Sequence, residues 1–318
     1  MIRIKEFALT AIALLFCIAA CAQKTEIFDK SNSQIADNNL GRILLDRKGN
    51  LWIGTLKSGL IKYDGTNFTE SQAIGTGSYP SIEPLLIDSK GNIWVSYSGT
   101  KRGIAMFDGT KWTDFSDYCQ SAICAAEGRD GKLFFGNMTG VMVYDGSKWE
   151  KYALPNESVY SYNVMSLAIS RSGQMAFGCS AYLLLYDGKN WKSLNEQNSE
   201  LRVGTVRSVK YLDNGALYIG YGGGFGAGGF SILQDAKWKH FDKNNSTFPD
   251  QMVRDIEVAK SGVIWMATND GLVKVDVDKF QTFKLRPGRF ANVIMGITLQ
   301  DDNTIWATTT NGLVKVTE

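Results

Sequence analysis

The sequence predicts an all-β protein built from seven similar units, and three repeated features support this prediction. A glycine-containing turn precedes a second strand marked by Trp or another hydrophobic residue, and these markers recur every 40 to 47 residues. In six units the third strand opens with Gly, and in six units the fourth strand opens with an aromatic residue. The 3.6-residue period of helices is absent from every unit. Four-stranded antiparallel units repeated at this length predict a seven-bladed β-propeller.

The first two strands of each unit are joined by a tight turn. The markers of the second strand are Trp52, Trp94, Phe134, Ala176, Tyr218, Trp265 and Trp306. Three residues before each marker stands a glycine in units one to six and Asn303 in unit seven. Gly and Asn enter the left-handed backbone region at the lowest cost. We therefore expect a positive φ at all seven positions.

The third and fourth strands are joined by a second hairpin. Asp-Gly pairs follow the third strand, as in Tyr63-Asp64-Gly65, and such pairs after a β-rich run are a strong hairpin signal. The fourth strand then opens at Phe68, Trp112, Trp149, Trp191, Trp238 and Phe280. One aromatic residue per unit behind the same turn indicates packing between blades rather than a ligand-binding ladder.

The innermost strands are apolar on both faces, as in Ile43-Leu44-Leu45, which favours blades packed face to face over a sandwich. The seventh unit reaches Glu318 without a fourth strand. Residues 24–30 resemble residues 237–243, the fourth strand of unit five. We therefore expect the N-terminal strand to complete the last blade and close the ring.

The N-terminus resembles a bacterial lipoprotein signal. Arg3 and Lys5 precede an apolar run of 14 residues, which is shorter than the roughly 20 that a membrane-spanning helix needs. The run ends in Ile-Ala-Ala-Cys, which predicts cleavage after residue 20 and lipidation of Cys21; a plain signal peptide is the alternative. The expected domains are a signal peptide at 1–20 and one propeller at 21–318. The mature protein would be extracytoplasmic, facing the periplasm or the cell surface, and held to the membrane by its lipid alone.

Charge and composition exclude several classes of site. The 34 Lys and Arg residues nearly balance the 32 Asp and Glu residues, so nucleic acid is not an expected partner. The single histidine, His240, excludes His-rich zinc sites, and we predict neither a metal nor a cofactor. Cys119, Cys124 and Cys179 would remain in the mature domain, where an odd number cannot pair completely. A Cys119–Cys124 disulfide and buried thiols both remain open.

The repeat unit Asp-x-x-Gly-x-Leu-Trp-Ile-Gly-Thr…Gly-Leu…Tyr-Asp-Gly, clearest between Asp46 and Gly65, resembles the two-component regulator propeller repeat. That repeat is common in the extracytoplasmic halves of bacterial hybrid sensors that detect carbohydrate fragments. The resemblance implies a propeller that binds a ligand outside the cytoplasm. Those sensors usually carry a second propeller, a β-sandwich, a transmembrane helix and a kinase, which this sequence does not show. Phosphotransfer is therefore not implied.

The two tight turns of each unit must share one rim, which we call the bottom rim. The connections on the opposite, top rim are longer and more varied, as binding loops on a rigid scaffold tend to be. Eight residues before each turn position, the innermost strand enters from the top rim at Gly41, Glu83, Ile123, Met165, Arg207, Arg254 and Met295. We predict that Glu83, Arg207 and Arg254 face the mouth of the central channel. They would contact a polar ligand there or, alternatively, plug the channel as ion pairs.

Aromatic and arginine side chains in the top-rim loops suit sugar stacking or carboxylate binding. The candidates are Tyr97, Arg102, Tyr118, Tyr162, Tyr182, Phe225 and Arg289. Residues 224–229 match G-x-G-x-x-G, but a strand rather than a helix is predicted to follow them, so we expect a top-rim flap and no dinucleotide site. Asp276-Val277-Asp278 is interpreted as a degenerate hairpin turn rather than a calcium site.

These observations together favour a non-catalytic module that binds a saccharide or a protein partner at the top rim. The alternative is a propeller enzyme, either a lyase or a glycoside-acting enzyme. Its acid and base would be sought among Glu83, Asp270 and His240, although His240 is expected in an outer strand, far from the channel.

Overall fold

The computed structural model describes residues 24–71, 74, 81–155, 163–202, 204–222, 228–249, 252–276, 279–285 and 292–318. In these ranges the chain forms strands joined by turns, arranged as seven four-stranded antiparallel blades. The innermost strand of blade two also meets blade one through a single residue pair, Thr55 with Ile82. Within the described residues, no helix is long and apolar enough to span a membrane.

The strands of each blade follow one another from the channel outwards. Blades one to three contain β2 (Leu40–Leu45), β3 (Leu51–Thr55), β4 (Leu60–Tyr63) and β5 (Phe68–Ser71); β6 (Ser81–Ile87), β7 (Ile93–Ser98), β8 (Arg102–Phe107) and β9 (Trp112–Asp114); and β10 (Cys124–Glu127), β11 (Leu133–Asn137), β12 (Gly140–Tyr144) and β13 (Trp149–Lys151).

Blades four to six repeat this arrangement. They contain β14 (Val164–Ile169), β15 (Met175–Cys179), β16 (Leu183–Tyr186) and β17 (Trp191–Leu194); β18 (Thr205–Tyr211), β19 (Leu217–Gly222), β20 (Phe230–Gln234) and β21 (Lys237–Phe241); and β22 (Val253–Val258), β23 (Ile264–Thr268), β24 (Gly271–Asp276) and β25 (Lys279–Phe283).

Blade seven combines the two ends of the chain. It contains β26 (Ile294–Leu299), β27 (Thr304–Thr309), β28 (Gly312–Thr317) and β1 (Lys24–Phe28). Strand β1 pairs antiparallel with β28, from Lys24 opposite Thr317 to Phe28 opposite Leu313, which confirms the predicted closure of the ring. The strand ends at Phe28 because Asp29 begins a turn in which the N–H of Ser33 donates to the carbonyl of Asp29 at 2.9 Å.

The turn glycines of units one to six have φ values between 78° and 88°, as predicted. The expectation for Asn303 is wrong, since the described non-glycine residues with positive φ are Asp235 and Ala236. The N–H of Asn303 instead donates to the side chain of Asp301 at 2.9 Å, and its carbonyl accepts from Glu318 at 3.0 Å. The side chain of Asp301 therefore supports a different turn in unit seven.

The aromatic residues of the fourth strands pack as predicted. Tyr63 stacks on Phe68 with ring centroids 4.3 Å apart, and Tyr144 stacks on Trp149 at 4.8 Å. Trp149 also lies 6.2 Å from Trp94 of the preceding blade, so it joins two blades. These rings belong to the core.

The three cysteines of the described region are free thiols and are buried. Burial raises the pKa of the Cys124 and Cys179 thiols to about 12, so both remain protonated at neutral pH. Of the two alternatives for Cys119 and Cys124, the structure shows the buried thiols.

Candidate functional site

The innermost strands surround a central channel with two connected cavities. The upper cavity, at the top rim, has a volume of about 490 Å³, and the lower cavity has a volume of about 470 Å³. Arg42, Arg207 and Arg254 line both cavities and therefore lie where the two halves of the channel meet. Arg207 and Arg254 therefore line the central channel, as the sequence predicts.

β-Bulges aim the two predicted arginines into the channel. In β18 the pairing shifts between Val206 and Ser208, and in β22 it shifts between Val253 and Asp255. The residue skipped by the ladder is Arg207 in one strand and Arg254 in the other. A bulge leaves one residue unpaired and redirects its side chain, as is common next to functional sites.

Hydroxyl groups from the preceding blades hold these bulges in place. The Ser166 hydroxyl donates to the carbonyl of Val206 at 3.2 Å, and the Ser208 hydroxyl donates to the carbonyl of Val253 at 3.2 Å. Gly220, which pairs with Ser208, permits this approach, because a Cβ there would lie 2.3 Å from the Ser208 oxygen. Each arginine is therefore positioned from the neighbouring blade.

The arginines are half-buried and close enough to repel one another. Burial, followed by the charge of Arg42, lowers the pKa of Arg207; burial, followed by the charge of Arg207, lowers the pKa of Arg254. Across the described residues, no carboxylate lies within 4.0 Å of any of the three guanidinium groups. Arg254 donates from Nε to the side-chain oxygen of Asn269 at 3.1 Å. This level of the channel therefore carries an excess of positive charge.

Glu83 also lines the upper cavity, and its carboxylate reaches towards blade one. Its bulge is displaced to Leu85, so Glu83 remains paired with Ser96 in the ladder. Its carboxylate accepts the backbone N–H of Arg42 at 2.8 Å and occupies the space beside Gly41, where a Cβ would lie 2.0 Å from Oε1. Burial raises the pKa of Glu83 against the opposing effects of that hydrogen bond and of the Arg42 charge. Glu83 thus connects blades one and two.

Arg42 is a channel residue that the sequence analysis does not single out. The repeat aligns Gly41 with Arg207 and Arg254, but the register shift in β2 spans both Gly41 and Arg42. The wider bulge turns Arg42 towards the channel. The pairing register decides this, and the repeat spacing does not reveal it.

The lower half of the channel carries paired charges. Lys210 of β18 forms an ion pair with Glu257 of β22 at 3.0 Å. Burial opposes the charge of Lys210, but the charge and hydrogen bond of Glu257 outweigh it and raise the pKa of Lys210. Asp255 accepts the backbone N–H of Ile297 at 3.1 Å, which joins blades six and seven. This level therefore holds one ion pair and one hydrogen bond that join neighbouring blades.

The predicted rim residues separate into different places. Arg102 lines the upper cavity beside Arg207 and Arg254. Tyr118 is exposed and stacks on Trp149 at 6.1 Å, on an outer strand. Tyr182 lines a small cavity of about 80 Å³ together with Arg202. Tyr162, Phe225 and Arg289 lie outside the described residues.

The placement of Tyr97 in a top-rim loop is wrong. Strand β7 continues through Ser98, so Tyr97 belongs to the strand and its side chain is only 2% exposed. Its hydroxyl donates to Asp114 at 2.6 Å. The ring borders the upper cavity, but it is part of the blade rather than an adjustable loop.

The acid and base candidates of the enzyme alternative lie in three different blades. Glu83 is at the channel, and Asp270, in the β23–β24 connection, is bonded to Lys284. His240 lies in β21, the outermost strand of blade five, as expected. Among the described residues, no hydrogen bond or ion pair joins any two of them.

His240 belongs to a local hydrogen-bond chain. Its Nδ1 lies 2.6 Å from the Ser231 hydroxyl, which accepts from the Tyr221 hydroxyl at 2.9 Å. Glu200 lies 3.6 Å from the other ring nitrogen. This order of groups resembles a hydrolase triad, but Ser231 is fully buried, so a substrate cannot reach its hydroxyl. The chain stabilises the outer part of blade five.

Comparison with known proteins gives one local family match and several solved structures with the same fold. The model of the family described as "Two component regulator propeller" matches residues 34–57, which include the first two strands of blade one. No curated protein sequence matches the chain.

Solved structures share the propeller. One is the extracellular domain of a protein described as a hybrid two-component system of B. thetaiotaomicron, with a TM-score of 0.72 and 19% identity over 92% of this chain. This chain spans only 40% of that protein. A catalytically inactive virginiamycin B lyase from Staphylococcus aureus, solved with quinupristin, has a TM-score of 0.73 and 15% identity over 93% of this chain and 99% of the lyase.

YCF48 bound to D1 peptide has a TM-score of 0.64 and 11% identity over 93% of this chain and 94% of YCF48. At these identities the solved structures establish the fold alone. The family match lies in blade one, and a similar residue pattern recurs in the other blades. The chain is a seven-bladed β-propeller, and residues 34–57 match the two-component regulator propeller repeat.

Proposed function

We propose that this protein is an extracytoplasmic, non-catalytic binding module that takes a saccharide or a protein ligand at the top rim. The observation that carries the proposal is the placement of Arg207 and Arg254 in the channel without a carboxylate partner among the described residues. Burying a cation without an acidic partner costs free energy of folding. A ligand that supplies polar or anionic groups would recover that free energy.

The comparisons are compatible with binding outside the cytoplasm. One similar structure is the extracellular domain of a two-component system, and another is a propeller bound to a peptide. The lipobox-like residues that end at Cys21 support the same location. Replacing Cys21 by Ser should abolish labelling with a radioactive fatty acid and release the protein from membranes. Unchanged labelling would exclude the lipid anchor.

Binding would be tested with a glycan array and then with the ligand it identifies. Arg207→Ala and Arg254→Ala should each weaken binding about tenfold to a hundredfold, which corresponds to about 1.5–3 kcal/mol for a hydrogen bond to a charged group. Arg171→Ala is the matched control, because Arg171 is exposed and pairs with Asp213 at 2.9 Å. Equal loss in all three variants would contradict a role for the channel.

Recovery of the ligand separates the binding module from the enzyme alternative. A binding module returns the ligand chemically unchanged after long incubation. Turnover that is lost in Glu83→Gln or Asp270→Asn would establish a propeller enzyme instead. If the glycan array shows no binding, capture of a protein partner that depends on Arg207 would favour the protein ligand.

A further inference from the structure

Three guanidinium groups converge at one level of the channel from three blades. Arg42 comes from blade one, Arg207 from blade five and Arg254 from blade six, and all three line both cavities. The charge of Arg42 acts on Arg207, and the charge of Arg207 acts on Arg254. The acid at this level, Glu83, is committed to the backbone N–H of Arg42. Although the charge of Arg42 acts on Glu83, three guanidinium groups face this one acid, so the cluster keeps an excess of positive charge.

Folding does not require arginine at this level. The corresponding positions of three other blades hold Ile123, Met165 and Met295, which also line the upper cavity. Three residues farther along the same two strands, Lys210 and Glu257 show that β18 and β22 can place opposite charges together. Like charges at Arg207 and Arg254 therefore call for an explanation outside the fold.

We propose that Arg42, Arg207 and Arg254 form an oxyanion site in the central channel, which receives the carboxylate, phosphate or sulfate group of a small polar ligand. This proposal rests on the proposed binding function and names the chemistry of its ligand. Guanidinium groups present paired N–H donors that match the oxygens of such anions. The attraction between an anion and these guanidinium groups is stronger here than in open water, because the surrounding protein lowers the local dielectric constant.

The walls above the arginines fit the rest of such a ligand. Ser81, Ser96 and Ser98 line the upper cavity, together with Arg102. Hydroxyl groups both donate and accept hydrogen bonds, which suits a polar ligand body. The volume of about 490 Å³ falls in the range of small-molecule sites. The anionic group would enter first, and the polar body would remain at the mouth.

The test measures thermal unfolding of the purified protein in sodium sulfate, potassium phosphate or sodium glucuronate, against sodium chloride at equal ionic strength. At ten times the dissociation constant, at least one oxyanion should raise the Tm by about 2 °C or more. Arg207→Met, Arg254→Met and Arg42→Met should each remove most of this rise. Met is the appropriate replacement because Met165 and Met295 already occupy this level in two blades. Arg171→Met is the control and should keep the full rise.

The three anions identify the group that the site prefers, and glucose beside glucuronate tests whether the charge is needed. A wild-type protein that responds to none of the three oxyanions would overturn the proposal. The same holds if the channel variants respond as strongly as the wild type, since sulfate and phosphate stabilise many proteins without binding. A full response in Arg42→Met would overturn the three-arginine site.

The outcome for the binding function remains separate. A neutral ligand from the glycan array that binds the wild type and the Met variants equally would support a binding module and contradict the oxyanion site. An oxyanion response without any larger ligand would support the site and leave the saccharide or protein proposal unsupported.

Discussion

The upper and lower levels of the channel use the same two strands in opposite ways. At the lower level, Lys210 of β18 and Glu257 of β22 form an ion pair. At the upper level, three residues earlier on each strand, Arg207 and Arg254 carry the same charge. The strands are shared, but the upper level lies at the bulges and carries like charges, whereas the lower level holds an ion pair.

This difference separates a stabilising role from a binding role. A paired level contributes to the native state without any ligand, whereas a like-charged level reduces its stability until an anion arrives. Proteins commonly give up stability at sites that serve function. Substitutions at the two levels should therefore change the free energy of unfolding in opposite directions.

The largest effect is expected when the lower pair is broken. Lys210→Met would leave Glu257 facing Asp255 without a cation, and breaking a buried pair typically costs 3–5 kcal/mol. Because roughly a third of each side chain is exposed to the channel, we expect a loss of about 2 kcal/mol in the free energy of unfolding. Urea denaturation at pH 7 would measure it. A double variant with Glu257→Met should recover at least half, and a fully stable Lys210→Met would show that the pair is dispensable.

The reverse change should make the upper level resemble the lower one. Arg254→Glu would give Arg207 an acidic partner and remove the repulsion between the two arginines. We expect a gain of about 1 kcal/mol in the free energy of unfolding, together with loss of the oxyanion response. The same denaturation experiment applies. A less stable variant would mean that the upper level of the native channel does not carry an excess of positive charge.

A smaller effect should follow from loosening the upper level without changing its charge. Ser208→Ala removes the hydroxyl that holds the Val253 carbonyl beside Arg254, and we expect a loss of about 1 kcal/mol. As a positioning residue, Ser208 should also weaken anion binding severalfold, measured by titration calorimetry. Ser261→Ala, in an exposed turn, is the control and should change neither quantity.

The smallest effect concerns Glu83 and depends on pH. Its folded-state pKa is raised, chiefly by burial, so its contribution to stability is complete below the ordinary value of 4.5 and is lost as the pH rises through the folded-state pKa. Glu83→Gln avoids that loss and should be more stable than the wild type by about 0.5 kcal/mol at pH 7. The two proteins should have equal stability at pH 4. A difference that is larger at pH 4 would reverse the assigned sign.

Repeat spacing was sufficient to predict the blades, the turn glycines and the closing strand, because each depends on a local residue type recurring at a fixed interval. The same spacing located Arg207 and Arg254. It could not locate Arg42 or the contact of Glu83 with blade one, because these depend on bulge positions that differ between blades one, two and five.

The remaining errors also have local causes. Asn303 does not adopt a positive φ, since Asp301 supports another turn geometry. The prediction of Tyr97 in a top-rim loop is wrong because β7 continues to Ser98. Its buried hydrogen bond to Asp114 joins residues 17 positions apart and is not visible in the repeat pattern.

Strand β1 has a consequence for the orientation of the whole molecule. Its first residue, Lys24, pairs with Thr317, which also pairs with Thr304 at the bottom-rim turn. Only two residues separate Lys24 from Cys21, so the chain between them spans at most about 11 Å. An acyl chain on Cys21 would therefore keep the bottom rim against the bilayer. The mouth of the upper cavity would then open towards the aqueous side, where it would meet dissolved ligands rather than lipid headgroups.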